Sequence, residues 1–136
     1  MRRAGLLTCT NITNSPIDRD ALPHTRHAHE LVGADFDVPI SLILVHCAPG
    51  AGPDVHRHPY PEMFVIEHGQ ATFRVDGAEF VGESGEIVIA PANSSHGFTN
   101  TGSGELRLTA IHAAAEFVTQ WLGQPDPEWV SPKMAT

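Results

Sequence analysis

Apolar and polar residues alternate with a period of two through much of the middle of this chain. From Glu62 to Glu67, Glu62, Phe64 and Ile66 share one parity and Met63, Val65 and Glu67 the other, as the two faces of a strand require. Residues 105–112 alternate in the same way until their end and read as a closing strand. Residues 39–47 form a short continuous apolar run instead. Its length and its β-branched content predict a strand buried on both faces rather than a helix. Residues 86–90 predict another strand, stopped by Pro91, and residues 7–13 an edge strand, closed by Asn14-Ser15-Pro16. Asp76-Gly77 is a two-residue hairpin signal. It pairs Val75 with Ala78, Arg74 with Glu79 and Phe73 with Phe80. After Ala113 the period changes: Phe117, Val118, Trp121 and Leu122 fall on one helical face until Gly123 and Pro125 stop it. A short helix is predicted over 113–122, followed by an extended tail that Trp129 can anchor.

Composition narrows the class. At 136 residues the chain has the length of one domain. Its 12 glycines and 11 prolines suit short strands and turns. The net charge of −8 argues against nucleic-acid phosphates as a partner. The two cysteines, Cys9 and Cys47, provide no disulfide framework and read as reduced thiols. The basic, briefly apolar start falls short of a secretory signal, and no apolar run approaches a membrane span. The expectation is a soluble, cytoplasmic protein that engages no membrane.

The candidate chemistry lies between Gly50 and Asn100. The first half reads Gly50-x5-His56-x-His58-x3-Glu62-x6-Gly69, and the second Gly85-x5-Pro91-x-Asn93-x2-His96-x3-Asn100. Positions i and i+2 of a strand point the same way, so His56 and His58 can grip one ion side by side. Glu62, past Pro59 and Pro61, can open a new strand and return to that ion. His96 must come from a strand distant in sequence and adjacent in space. Three imidazoles and a carboxylate suit one divalent ion among Fe, Mn, Ni, Zn and Cu. The full two-part spacing favours this reading over a histidine-rich surface loop. His27-x-His29 repeats the ligand spacing, but no later carboxylate and histidine complete a second site, and residues 24–30 read as an exposed loop. His46 and His112 share parity with apolar residues of their strands. They read as hydrogen-bonded core or rim histidines, and as acid–base candidates if either reaches the pocket.

Both halves resemble the two motifs of the cupin superfamily, in its small single-domain form. Gly50, His56, His58, Glu62 and Gly69 match the first motif, and Gly85, Pro91, His96 and Asn100 the second. Asn93 stands where the family usually has glycine, and Asn tolerates a left-handed backbone. The resemblance implies an all-β fold, a jelly-roll type antiparallel β-barrel with the metal inside. It divides the chain into an N-terminal arm (1–35), the barrel (36–112) and a C-terminal helix and tail (113–136). Similar small cupins include dioxygenases acting on diketones, phenols and thiols. The resemblance therefore implies an oxidoreductase acting on a small organic substrate; strand parity with Glu62 and His96 turns Phe64, Ile66 and Phe98 inward to line its pocket. A metal-dependent isomerase or lyase, and a non-catalytic binding or sensor module, are the alternatives. The doubly apolar strand at 40–45 and the β-rich arm predict a homodimer that covers them.

Overall fold

The computed structural model describes residues 15–129. The expected edge strand at 7–13 lies outside the described residues. In chain order the strands are β1 (Ala28–Leu31), β2 (Ser41–Cys47), β3 (His56–Arg57), β4 (Glu62–His68), β5 (Gln70–Val75), β6 (Ala78–Glu83), β7 (Ile87–Ala90), β8 (His96–Asn100), β9 (Leu106–His112) and β10 (Gln120–Trp121). They form two five-stranded antiparallel sheets, ordered β1-β2-β9-β4-β7 and β10-β3-β8-β5-β6. Among the described residues no helix is long and apolar enough to cross a membrane.

The alternating strands bury the faces that parity assigns. Phe64 and Ile66 of β4 are buried while Met63 is exposed, and Leu106, Leu108 and Ala110 of β9 face inward with them. Phe73, Val88, Ala90 and Phe98 complete the layer between the sheets. The hairpin at Asp76-Gly77 has φ of 49° and 86° at its two central residues, as a two-residue turn that follows the strand twist needs. Its register pairs Val75 with Ala78, Arg74 with Glu79 and Phe73 with Phe80. Phe80 is 41% exposed because β6 is an edge strand.

Three expectations change. Strand β2 buries Ser41, Val45 and Cys47, but Leu42 and Leu44 on its outer face are only half-buried. Residues 24–30 are not an exposed loop: Ala28–Leu31 pairs with β2, and His27 and Glu30 are buried. Residues 113–122 do not form the expected helix. The chain runs irregularly from β9 to β10, which pairs with β3. Val118 is 56% exposed, whereas Trp121 packs on His56 with ring centroids 4.8 Å apart. The apolar residues that share a helical face in projection serve different surfaces here, and strand pairing satisfies the backbone instead. The short helical element of the C-terminal region is a 3-10 turn further on, Pro127–Trp129. Cys47 is buried as a small apolar residue, and burial pushes its thiol up to about 11.

Candidate metal centre

The two sheets bring the motif histidines together through strand pairing. His56 of β3 stands opposite His96 of β8, and Glu62 of β4 stands opposite His112 of β9. His58 follows β3 directly. The loop carrying Asn93 closes over it: Asn93 has φ of 66°, and its N–H donates to the His58 carbonyl at 2.8 Å. Asn thus holds a left-handed conformation in which glycine has no steric penalty. Gly69, with φ of 90°, makes the turn from β4 to β5, and a side chain there would meet the Glu105 carbonyl.

His56, His58, Glu62 and His96 are all buried, and one ligand atom from each lies within 4.8 Å of the others. Each ring is oriented by a backbone carbonyl two residues away. His56 Nδ1 donates to the Asp54 carbonyl at 2.7 Å, His58 Nδ1 to Tyr60 at 2.7 Å and His96 Nδ1 to Ser94 at 3.0 Å. With its hydrogen on Nδ1, each neutral imidazole presents the Nε2 lone pair, the arrangement of metal-binding histidines. His58 Nε2 and His96 Nε2 approach Glu62 Oε1 to 2.8 and 3.0 Å. Lone pairs on three such atoms repel unless a cation lies among them. Two donors about 2.1 Å from one ion and at right angles would be about 3.0 Å apart, so the separations also suit octahedral coordination. The cluster is suited to metal binding on both counts.

Electrostatics keep two of the donors, His56 and Glu62, in the required state. Burial, assisted by His96, pushes His56 down to about 4, so its ring is neutral at pH 7. Burial alone would raise Glu62, but the His112 imidazole beside its Oε2 leads the contacts that outweigh burial and hold the carboxyl well below the usual carboxylate range.

The centre opens on a cavity of about 40 Å³, where one water needs about 10–15 Å³. It accommodates a ligand of a few heavy atoms. Phe64 and Phe98 line it, as the sequence suggests, but Ile66 does not: that side chain lies further along β4, near Gly82. His112 does reach the cavity. Its Nε2 lies 3.1 Å from Glu62 Oε2, and its Nδ1 lies 2.9 Å from the Tyr60 hydroxyl. His46 does not: it meets His29 on the same sheet, Nε2 to Nδ1 at 3.2 Å. His27 turns away from His29 and stacks on Trp129 at 4.5 Å.

Sequence reasoning missed several residues. Tyr60 sits between the first-motif ligands, and its position between two prolines gave no sign of its cross-sheet partner. Glu30 lines the cavity from β1, buried on the same parity as Ala28; that alternation was a usable signal. Trp121 and Trp129 also line it, and only the tertiary fold brings them there.

A two-sheet β fold here encloses a buried cluster of three histidines and one carboxylate that is suited to metal binding. The family model described as the cupin domain matches residues 43–112, just over half of the chain, and the chain belongs to that family. Among curated proteins no match is found. Solved structures share the fold. An oxalate oxidase is 20% identical, with 70% of this chain and 54% of that chain covered and a TM-score of 0.63. Oxalate decarboxylase from Bacillus subtilis is 24% identical, with coverages of 74% and 29% and a TM-score of 0.65. The cupin domain of Schizosaccharomyces pombe Cnp3 is 22% identical, with coverages of 64% and 63% and a TM-score of 0.57. The chain thus spans less than two thirds of each of these neighbours.

Proposed function

We propose that the chain is a metal-dependent dioxygenase that binds one divalent ion through His56, His58, Glu62 and His96 and acts on a small organic substrate beside it. The observation that carries this reading is that two residues of the donor cluster, His56 and Glu62, line a small, mostly apolar cavity. Four protein donors leave up to two positions of an octahedron open to that cavity. A redox-active ion held there supplies the electronic coupling between dioxygen and substrate. Phe64 and Phe98 exclude water from the substrate's body, and the carbonyl-anchored rings keep the donors in place without reorganisation. Two of the solved neighbours are an oxalate oxidase and an oxalate decarboxylase, which supports small-molecule chemistry in a fold of this kind without assigning the substrate.

The test combines metal analysis with oxygen uptake. Protein purified without a nickel column should carry Fe or Mn. The Fe(II)-loaded protein should consume oxygen with at least one of a panel of catechols, β-diketones and small thiols, and His96→Ala should abolish the uptake. Bound zinc alone, with no oxygen uptake, would sink the dioxygenase reading. One observation favours a second reading, a Lewis-acid isomerase or lyase: His112 and Tyr60 form a hydrogen-bonded pair in direct reach of Glu62, and a substrate proton can be moved there. Turnover of a substrate without oxygen uptake would select it.

The active form we propose is a homodimer. Leu31, Leu42, Ile111, Met63 and Ile89 are successive cross-strand neighbours on the outer face of the first sheet. An apolar row across five strands marks an association surface.

A further inference from the structure

Away from the candidate metal centre, three histidines and a carboxylate meet on the outer face of the first sheet. His29 of β1 and His46 of β2 approach through His29 Nδ1 and His46 Nε2, 3.2 Å apart. His24 stands opposite His29 in an isolated antiparallel bridge, with ring centroids 5.1 Å apart. Residues directly opposite in such a pair put their side chains on one side of the sheet, so His24 belongs to the same patch. Behind His29, Asp20 Oδ1 lies 3.7 Å from Nε2. The spacing of His27 and His29 in the sequence suggested a pair without the carboxylate and later histidine to complete it. The fold turns His27 to Trp129 and supplies His24, His46 and Asp20 instead.

The rings are in the state that a metal requires. Burial, with His46 beside it, holds His29 below the ordinary histidine value, and burial with Arg19 does the same for His46, so both are neutral at pH 7. Two neutral rings that face each other through nitrogen share either one hydrogen or one cation. Donors about 2.1 Å from an ion at the tetrahedral angle would be about 3.4 Å apart, close to the separation of His29 and His46. With His29 Nδ1 on an ion, its hydrogen sits on Nε2 and faces Asp20, the carboxylate that commonly backs a ligating histidine. The Asp20 side chain is 83% exposed and can close the remaining gap. His24 Nδ1 lies 3.3 Å from the Thr25 carbonyl, which draws the ring hydrogen there and leaves Nε2 as the donor. His24 is exposed, so its ring can swing onto the pair. Arg107, opposite His46, is paired with Glu105 at 2.9 Å, which offsets its charge.

We infer that this patch is a second, outer metal site, in which His24, His29 and His46 bind one zinc ion and Asp20 positions His29. Imidazole donors without a thiolate suit zinc, and three of them leave a fourth position to solvent. The ion clips the stretch around Arg19–His24 onto β1 and β2. The outer site shares no residue with the inner donors His56, His58, Glu62 and His96, so it stands or falls independently of them.

Equilibrium dialysis of the full chain against micromolar zinc at neutral pH tests this. The parent should bind one more ion per chain than the double variant His29→Ala/His46→Ala. The chain with His58→Ala and His96→Ala should keep the outer ion, which allows its affinity to be read alone. In that background His24→Ala, a change at an exposed position, should weaken zinc about tenfold or more. Asp20→Asn should weaken it about tenfold, and Asp20→Glu should recover part of the loss. Equal zinc in the parent and in His29→Ala/His46→Ala would overturn the inference, whatever the inner centre holds. So would an affinity unchanged by His24→Ala, since a hydrogen-bonded pair of His29 and His46 does not sense that change, or outer binding that needs millimolar zinc. A parent that binds a single ion and loses it in His29→Ala/His46→Ala upholds the outer site and overturns the inner one.

Discussion

Each cluster histidine is fixed at its far nitrogen by a carbonyl two residues away, so the ring, not only the residue type, is specified. His58→Ala should lower metal affinity by about a hundredfold or more, measured by metal analysis after dialysis. Its far-ultraviolet circular dichroism should match that of the parent, because the core layer does not include the ring. Acid should destabilise the metal-free protein, and the sign follows from the shifts. His56 is lowered from 6.5 to about 4, so between those values the unfolded chain binds a proton that the folded chain refuses. Stability is lost as pH falls through that window, by on the order of 3 kcal/mol from this group. Glu62 is held low, so its contribution is present above 4.5 and is lost on further acidification. Urea midpoints of metal-free protein at pH 7.5, 6 and 5 should fall in that order; a flat series would contradict the assignment. At this scale the four donors were legible, because i and i+2 spacing and one interrupted strand are local facts. His112, Tyr60 and Trp121 were not, since their roles depend on which strand lies beside which.

Elements show the same division. The hairpin was legible down to its register, because a two-residue turn leaves only one way to pair its arms. Gly77→Ala should cost about 1–2 kcal/mol in urea unfolding at φ of 86°, with metal content unchanged, since the turn is remote from the donors. The segment after β9 was misread for a physical reason. Four apolar residues at helical spacing suit a helix only if one surface receives them all. Here Trp121 turns to His56 while Val118 and Leu122 stay exposed, and pairing of two residues with β3 decides the backbone. The N-terminal stretch was misread for the same cause: its strand exists only because β2 offers an edge.

The whole molecule leaves an apolar row on its outer face, with Ile89 58% exposed. Light scattering at micromolar concentration should give a dimer, and Ile89→Glu should shift it to monomer while metal content is retained. A monomeric parent would refute the assembly. The layered architecture has a further consequence. Glu62 stands in one sheet, and His56 and His96 in the other. An ion gripped by all of them is a strut between the layers, and it ties together stretches of chain far apart in sequence. Loading should slow amide hydrogen exchange in β3, β4 and β8 together rather than in one loop. It should add about 2.7 kcal/mol of stability when free metal is a hundred times Kd, and chelation should remove that gain. The proposed metal centre would then also set how far the two sheets can part.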